Sequence, residues 1–321
     1  MINELTPRSQ KRVGAGPSLA RQLRPVYLLA AIFVAAWFGL NLIRWGSNST
    51  LSSRLFVSTN QFNEWSGIVA GILGVSIAVA SMTWPRFLQV ARAVGRVPVI
   101  SAMSVYILIS AAVIFGLFLV AKVSASFELS HFYLRISILT AVMLAAGIGS
   151  FCGLELIWYS QSSHIDGSAN SPRETVQDIL SARKDLQRFF IGATVLITGG
   201  IIIIGGLRSS LSADESQNSP PGIASISVDV LLLNGAFFAM LLAFVFIPAY
   251  TTWQARIASF RDRLYPVPEN GDFSKDWYES RSNLEDLLEM RLGLPGRFLA
   301  AAGILAPLIG SIISTVIPTL R

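Results

Sequence analysis

The sequence predicts an all-α, polytopic transmembrane helix bundle, and three observations carry that prediction. Of the 321 residues, 52% are hydrophobic and only 14% charged, where a soluble globular chain carries about 25% charged residues. Seven runs are apolar over the ~20 residues that a helix needs to cross a bilayer, at 26–45, 65–84, 98–121, 135–158, 189–207, 228–250 and 298–318. The connections between these runs alternate between rich and poor in Lys and Arg.

Residues 1–25 form a basic tail carrying Arg8, Lys11, Arg12, Arg21 and Arg24. The exit of the first run, "LNLIRWGSNST", lacks a small-residue cleavage site, so the run reads as an uncleaved span. Six spans then fill 26–250, with a cytoplasmic helix over 171–188 inserted before the fifth. Amphipathic cytoplasmic helices occupy 251–297. The seventh span, 298–318, is interrupted by Pro307 and Pro318, which leaves six spans with an interfacial last segment as the competing topology.

Nineteen Lys and Arg fall on the side of the tail and six on the other. Cytoplasmic loops carry that excess, so the charge count places the N-terminus inside and, with seven spans, the C-terminus outside a bacterial-type plasma membrane. The formal charge of +6 and pI near 9.8 follow from this bias, and no nucleic-acid partner is expected. The partner expected of the charge is instead a bilayer with an anionic inner leaflet. A sequon at Asn48 lies on the outer side, almost against the first span.

The outer connections are Ser-rich and turn-like, whereas the inner ones contain helices. In "SPRETVQDILSARKDLQRFF", Ser171 and Glu174 form a capping box around Pro172, and Val176, Ile179, Leu180 and Leu186 recur at helical spacing. That helix is expected to run unbroken into the fifth span. After the sixth span, Trp253, Ile257, Phe260 and Leu264 share one face until Pro266 and Pro268 stop the helix. A further helix, roughly 274–292, sets Leu284, Leu287 and Leu288 against Glu285, Asp286 and Glu289.

Candidate sites are few. Glu155, in "GSFCGLELIWYS", is the one carboxylate in its apolar run, but it lies nine residues from the midpoint, or ~13 Å along the axis. With Trp158 and Tyr159 one turn on, this is the bilayer edge, and an interfacial role is the plainer reading beside a gate. Asn41 and Asn234 are span amides, for which interhelical hydrogen bonding is the plain reading and a solute path the functional one. Gly67, Gly71 and Gly74, and Gly149 with Gly153, form small-residue faces expected to serve helix packing, with a homo-oligomer seam as the alternative. "WPRFLQVARAVGRVP" carries Arg86, Arg92 and Arg96 with Trp84 and no acid, and reads as a basic amphipathic segment lying in the lipid interface.

Catalytic templates find no match: there is no HExxH, no phosphate-loop motif and no GxGxxG opening a helix after a strand. His131 and His164 fall in opposite loops, and the lone Cys152 allows no cysteine metal site, so neither metal nor cofactor is expected. The resulting expectation is a non-enzymatic membrane component that docks a soluble cytoplasmic protein through Leu284, Leu287 and Leu288, rimmed by Glu285, Asp286 and Glu289, with packing of the same leucines against Ile257 and Phe260 within the chain as the equally weighted structural reading. The alternative is a channel or facilitator lined by Asn41 and Asn234 with Glu155 at its mouth.

Overall fold

The computed structural model describes residues 19–44, 57–123, 132–163, 171–215, 228–268, 273–288 and 294–316. The residues 1–18, Asn48, His131, His164, Glu289 and Pro318 lie outside the described residues. Among those described the chain is all-α: α1 (Leu19–Arg44), α2 (Asn60–Val94), α3 (Arg96–Val123), α4 (Phe132–Ser163), α5 (Pro172–Glu215), α6 (Val228–Leu264), α7 (Lys275–Leu287) and α8 (Leu294–Val316).

Local chemistry sets the boundaries. Thr59 caps α2 by accepting the Phe62 N–H at 3.2 Å. Gly95 separates α2 from α3 with φ +98°, a left-handed backbone that a residue with a Cβ resists. The expected capping box opens α5: the Ser171 N–H donates to Glu174 Oε2 at 3.2 Å, and the Glu174 N–H donates back to Ser171 Oγ at 3.3 Å. Ser274 caps α7 through the Trp277 N–H, and α6 stops two residues short of Pro266.

Three helices outreach a bilayer by the most. The 35 residues of α2, 44 of α5 and 37 of α6 correspond to about 52, 66 and 55 Å at 1.5 Å per residue, against ~30 Å of hydrocarbon. Helix α5 is therefore both the predicted extramembrane helix and the fifth span, without a break. Among the described residues, six helices are long and apolar enough to cross a membrane. The described apolar stretch of α8, Ala301–Ile313, is shorter, within a helix of 23 residues.

The surface is inverted relative to a soluble protein. Phe33 on α1, Leu108 on α3, and Leu233 and Phe244 on α6 are all more than 70% exposed. A belt of that kind around a folded chain exceeds what water tolerates, whereas hydrocarbon imposes no penalty on it. The interior is apolar too, so close packing holds the helices together. Helix α2 packs on α1, α4 and α5; α5 packs also on α4, α6 and α8; α3 leans on α4 at the periphery. Near one end Trp65, Val69 and Leu73 meet Leu42, Ile43 and Leu139. In the middle Leu154, Phe189, Phe190, Leu242 and Phe246 form the largest cluster.

Helices α7 and α8 retrace α6 in reverse. Trp277 Nε1 donates to the Pro266 carbonyl at 3.0 Å, and Arg261 Nη1 meets Glu285 at 2.9 Å. Further along, a Cβ on Gly235 would lie 3.0 Å from the Pro307 carbonyl oxygen of α8. One antiparallel neighbour, in two pieces, thus follows α6 from its far tip back toward its start.

The glycines divide. A Cβ on Gly153 would sit 2.7 Å from the Phe189 ring, one on Gly149 3.1 Å from the Trp84 nitrogen, and one on Gly74 3.0 Å from Ile32. These three serve packing as expected. Gly67 and Gly71 do not: both face outward and nothing lies within 4 Å of an added Cβ. Their side of α2 continues into exposed Val75, beyond the arc that α1 covers. The prediction is that Gly153→Val costs about 1–3 kcal/mol by overpacking, while Gly67→Ala and Gly71→Ala are neutral or stabilise by up to about 1 kcal/mol through helix propensity. Thermal unfolding in detergent, followed by fluorescence-detected size exclusion, separates the two groups.

Candidate interaction site on the extended helices

The first segment of α5, the last of α6 and all of α7 assemble into a small module beyond the bundle. Ile179 and Ala182 of α5, Trp253, Ile257 and Phe260 of α6, and Leu284 and Leu288 of α7 form its core. The Trp253 indole donates to the Ile179 carbonyl at 3.2 Å, so the one polar atom of that ring is satisfied inside.

Ion pairs lock α7 onto α6. Arg261 and Arg281 both approach Glu285, at 2.9 and 3.8 Å, and Arg281 also reaches Asp262 at 2.7 Å. Arg281 further donates to the Tyr265 carbonyl at 3.1 Å and lies 5.1 Å from the Trp277 ring centroid. The side chains of Arg261, Arg281 and Glu285 are each less than a fifth exposed, which makes this network worth more than scattered surface pairs.

This arrangement corrects the expected docking residues. Leu284 and Leu288 are buried in the module core, at 9% and 0% exposure, and Glu285 is held by two arginines. They are consumed by contacts within the chain, because the apolar face of a 13-residue helix has to be covered before the helix is stable. Leu287, 58% exposed, and Asp286 remain on the surface. The free face of α7 is flanked by Leu287 on one side and exposed Tyr278 on the other, with Glu279, Asn283 and Asp286 between them.

Two further links tie the module to the bundle, and neither is evident from motifs. Arg86 of α2 grips Asp185 of α5 in a fork, Nε to Oδ1 at 2.8 Å and Nη2 to Oδ2 at 2.9 Å, with Arg188 at 3.8 Å from the same carboxylate. Buried Arg256 of α6 donates to buried Gln161 of α4 at 2.7 Å. The available signal for Asp185 was its position beside the stripe of Ile179, Ala182, Leu186 and Phe189: a carboxylate there needs a cation from another helix.

The "WPRFLQVARAV" stretch is corrected as well. The face that carries Phe87, Val90, Ala91 and Val94 does not lie in lipid. Phe87 is 4% exposed and, with Val90, Ala91 and Val94, packs into the bundle core. Arg86 belongs to the ion pair just described, leaving Arg92 and Arg96 exposed. Trp84 and Trp158 are exposed, as residues at a lipid interface would be.

The amides and Glu155 do not converge. Asn41 is exposed on α1 and donates to its own helix at the Trp37 carbonyl, 2.8 Å. Asn234 is half-buried on α6, which packs on α4, α5 and α8, whereas α1 packs on α2 and α4. Glu155 is half-buried and makes no hydrogen bond or ion pair among the described residues. Its level follows from two contacts: Tyr106 donates to the Leu144 carbonyl at 2.5 Å, and Cys152 Sγ lies 3.6 Å from the Ala102 carbonyl. The same antiparallel register, one turn further, sets Glu155 level with Val99 in the first turn of α3, where a helix dipole favours negative charge.

Removing Arg86 takes both short bonds from a nearly buried carboxylate and leaves it Arg188 at 3.8 Å, whereas removing Asp185 leaves an arginine whose side chain is already 36% exposed and free to turn to water. Arg86→Ala is therefore expected to cost about 2–3 kcal/mol, and more than Asp185→Ala, in the same thermal assay; the reverse order would show that the pair is not the link described. Against known proteins, the chain matches no protein family, no curated protein and no solved structure.

Proposed function

We propose that the protein is a non-enzymatic component of the bacterial-type plasma membrane that works by docking a soluble cytoplasmic protein on its extended helices. The observation that supports this is the outer face of α7. Leu287 and Tyr278, 58% and 62% exposed, stand on a helix whose opposite side is pinned by a core and an ion-pair network. An apolar side chain on a rigid, preorganised helix costs little entropy to bind. Asp286 stands beside Leu287, and Glu279 pairs with exposed Lys275 at 3.5 Å, a setting that favours a partner with a polar, partly basic rim around an apolar groove. Among the described residues, a packed helical module beyond the bundle stands at this end, which agrees with an inward-facing task.

The topology that goes with this reading has seven spans, N-terminus inside and C-terminus outside. It rests on the alternation of Lys and Arg and on the way α8 follows α6 back toward its start. Because Cys152 is the one cysteine, a Cys152→Ala background with single cysteines in the two terminal segments reports sidedness. The expected result is labelling of the C-terminal position, and not the N-terminal one, by an impermeant maleimide added to intact cells. Labelling of neither terminus would mean six spans with both ends inside.

Docking is tested by affinity capture from mild detergent with wild type, Leu287→Asp and the Glu279→Lys/Asp286→Lys pair. A soluble protein captured in stoichiometric amount by wild type and lost from both variants is expected. Leu288→Asp is not a docking probe, since Leu288 is in the module core, and its effect is loss of folded protein. Equal capture by wild type and both surface variants would remove the α7 face from consideration.

A further inference from the structure

We infer that the corner between α2 and α3 is a binding site for the phosphate headgroup of an anionic lipid, held by Arg92 and Arg96. The inference is independent of partner docking and starts from what five of the other arginines at this end do. Arg86 and Arg188 share Asp185, Arg261 and Arg281 share Glu285, and Arg256 is hydrogen-bonded to Gln161. Arg92 and Arg96 are exposed and make no ion pair or hydrogen bond among the described residues. Nor can their own helices neutralise them: no Asp or Glu occurs between Glu64 and Glu128. Glu155, level with the start of α3 on the adjoining helix, pairs with neither.

Each arginine is also placed one helical turn beyond exposed apolar side chains. On α2 the outward line reads Trp84, Leu88, Arg92, at four-residue spacing, with Trp84 and Leu88 at 41% and 36% exposure. On α3 Arg96 precedes Ile100 by one turn, and Ile100 and Val97 are 63% and 78% exposed. The two lines meet at Gly95, whose φ of +98° turns the chain in a single residue. Two guanidinium groups thus stand at the edge of the apolar belt, where acyl chains lie against Leu88, Val97 and Ile100 and a phosphodiester lies at the level of the cations. Guanidinium is the donor suited to that group, since it presents paired N–H bonds to phosphate oxygens. A soluble phosphate would use the arginines but not the aliphatic side chains, so the occupant is a lipid.

The test is native mass spectrometry of the full chain, delipidated in detergent and titrated with phosphatidylglycerol or phosphatidylcholine. Wild type is expected to retain phosphatidylglycerol in preference to phosphatidylcholine. Arg92→Gln/Arg96→Gln should lose that preference by at least about tenfold, since each basic residue's attraction to an anionic surface is worth about fivefold, and Arg92→Lys/Arg96→Lys, which keeps the charge but not the paired N–H groups, should lose less than the glutamine pair. Arg173→Gln/Arg263→Gln, which removes two exposed arginines of the extended helices, should leave it unchanged. An unaltered preference in the Arg92/Arg96 glutamine variant would overturn the site, as would equal retention of the two lipids by wild type. Displacement of the bound lipid by millimolar glycerol 3-phosphate would overturn the lipid assignment in favour of a soluble phosphate.

Discussion

Within hydrocarbon no water is present to satisfy a backbone N–H or C=O, and each one left unpaired costs several kcal/mol. The architecture answers to that constraint. Every membrane-sized segment described is a helix, and polar side chains that enter one can be absorbed locally: Thr83 donates to the Val79 carbonyl and Ser76 to that of Ile72. Once the backbone is settled, the apolar side chains gain nothing by facing inward rather than outward, so contact geometry decides the packing. Gly153 against Phe189 and Gly235 against Ser311 mark where helices approach most closely.

Charge follows a second rule that depends on the first. Several carboxylates and guanidiniums near the bilayer edge find a partner on another helix, and such pairs then act as cross-links. Asp185 joins α5 to α2, Gln161 joins α4 to α6 through Arg256, and Glu285 joins α7 to α6. The links radiate from the bundle's basic end, so the module there is an extension of the membrane core rather than an appended domain. Packing alone gives it one small apolar cluster; the cross-links give it a fixed orientation.

The fold was legible because its signals are long and local. Runs of twenty apolar residues, the Ser171–Glu174 box and the Pro266 stop can each be read from a single segment, and each recurs in the structure. The candidate site was legible only in part. Helical spacing shows that Leu284, Leu287 and Leu288 are near one another on α7, but not which of them another helix covers. That depends on α6 lying alongside, which brings Phe260 and Ile257 to Leu284 and Leu288 and leaves Leu287 open. The stretch after Trp84 misled for the same reason: an amphipathic pattern fits a protein partner as well as a lipid one, and Phe87 met protein. Asp185 went unnoticed because its partner is 99 residues away in sequence.

The continuity of α5 has a mechanical meaning. Its 44 residues carry no proline after the first and run from the module to the opposite side of the bundle. A rod of about 66 Å does not bend at a membrane surface that it crosses without a break. If a load on one end tilts it by a few degrees, the other end swings by several ångströms, and α2, α6 and α8, packed along its length, have to accommodate the swing. The basic end and the far face are therefore coupled through one continuous helix, with the Phe189 and Phe190 layer packed between them.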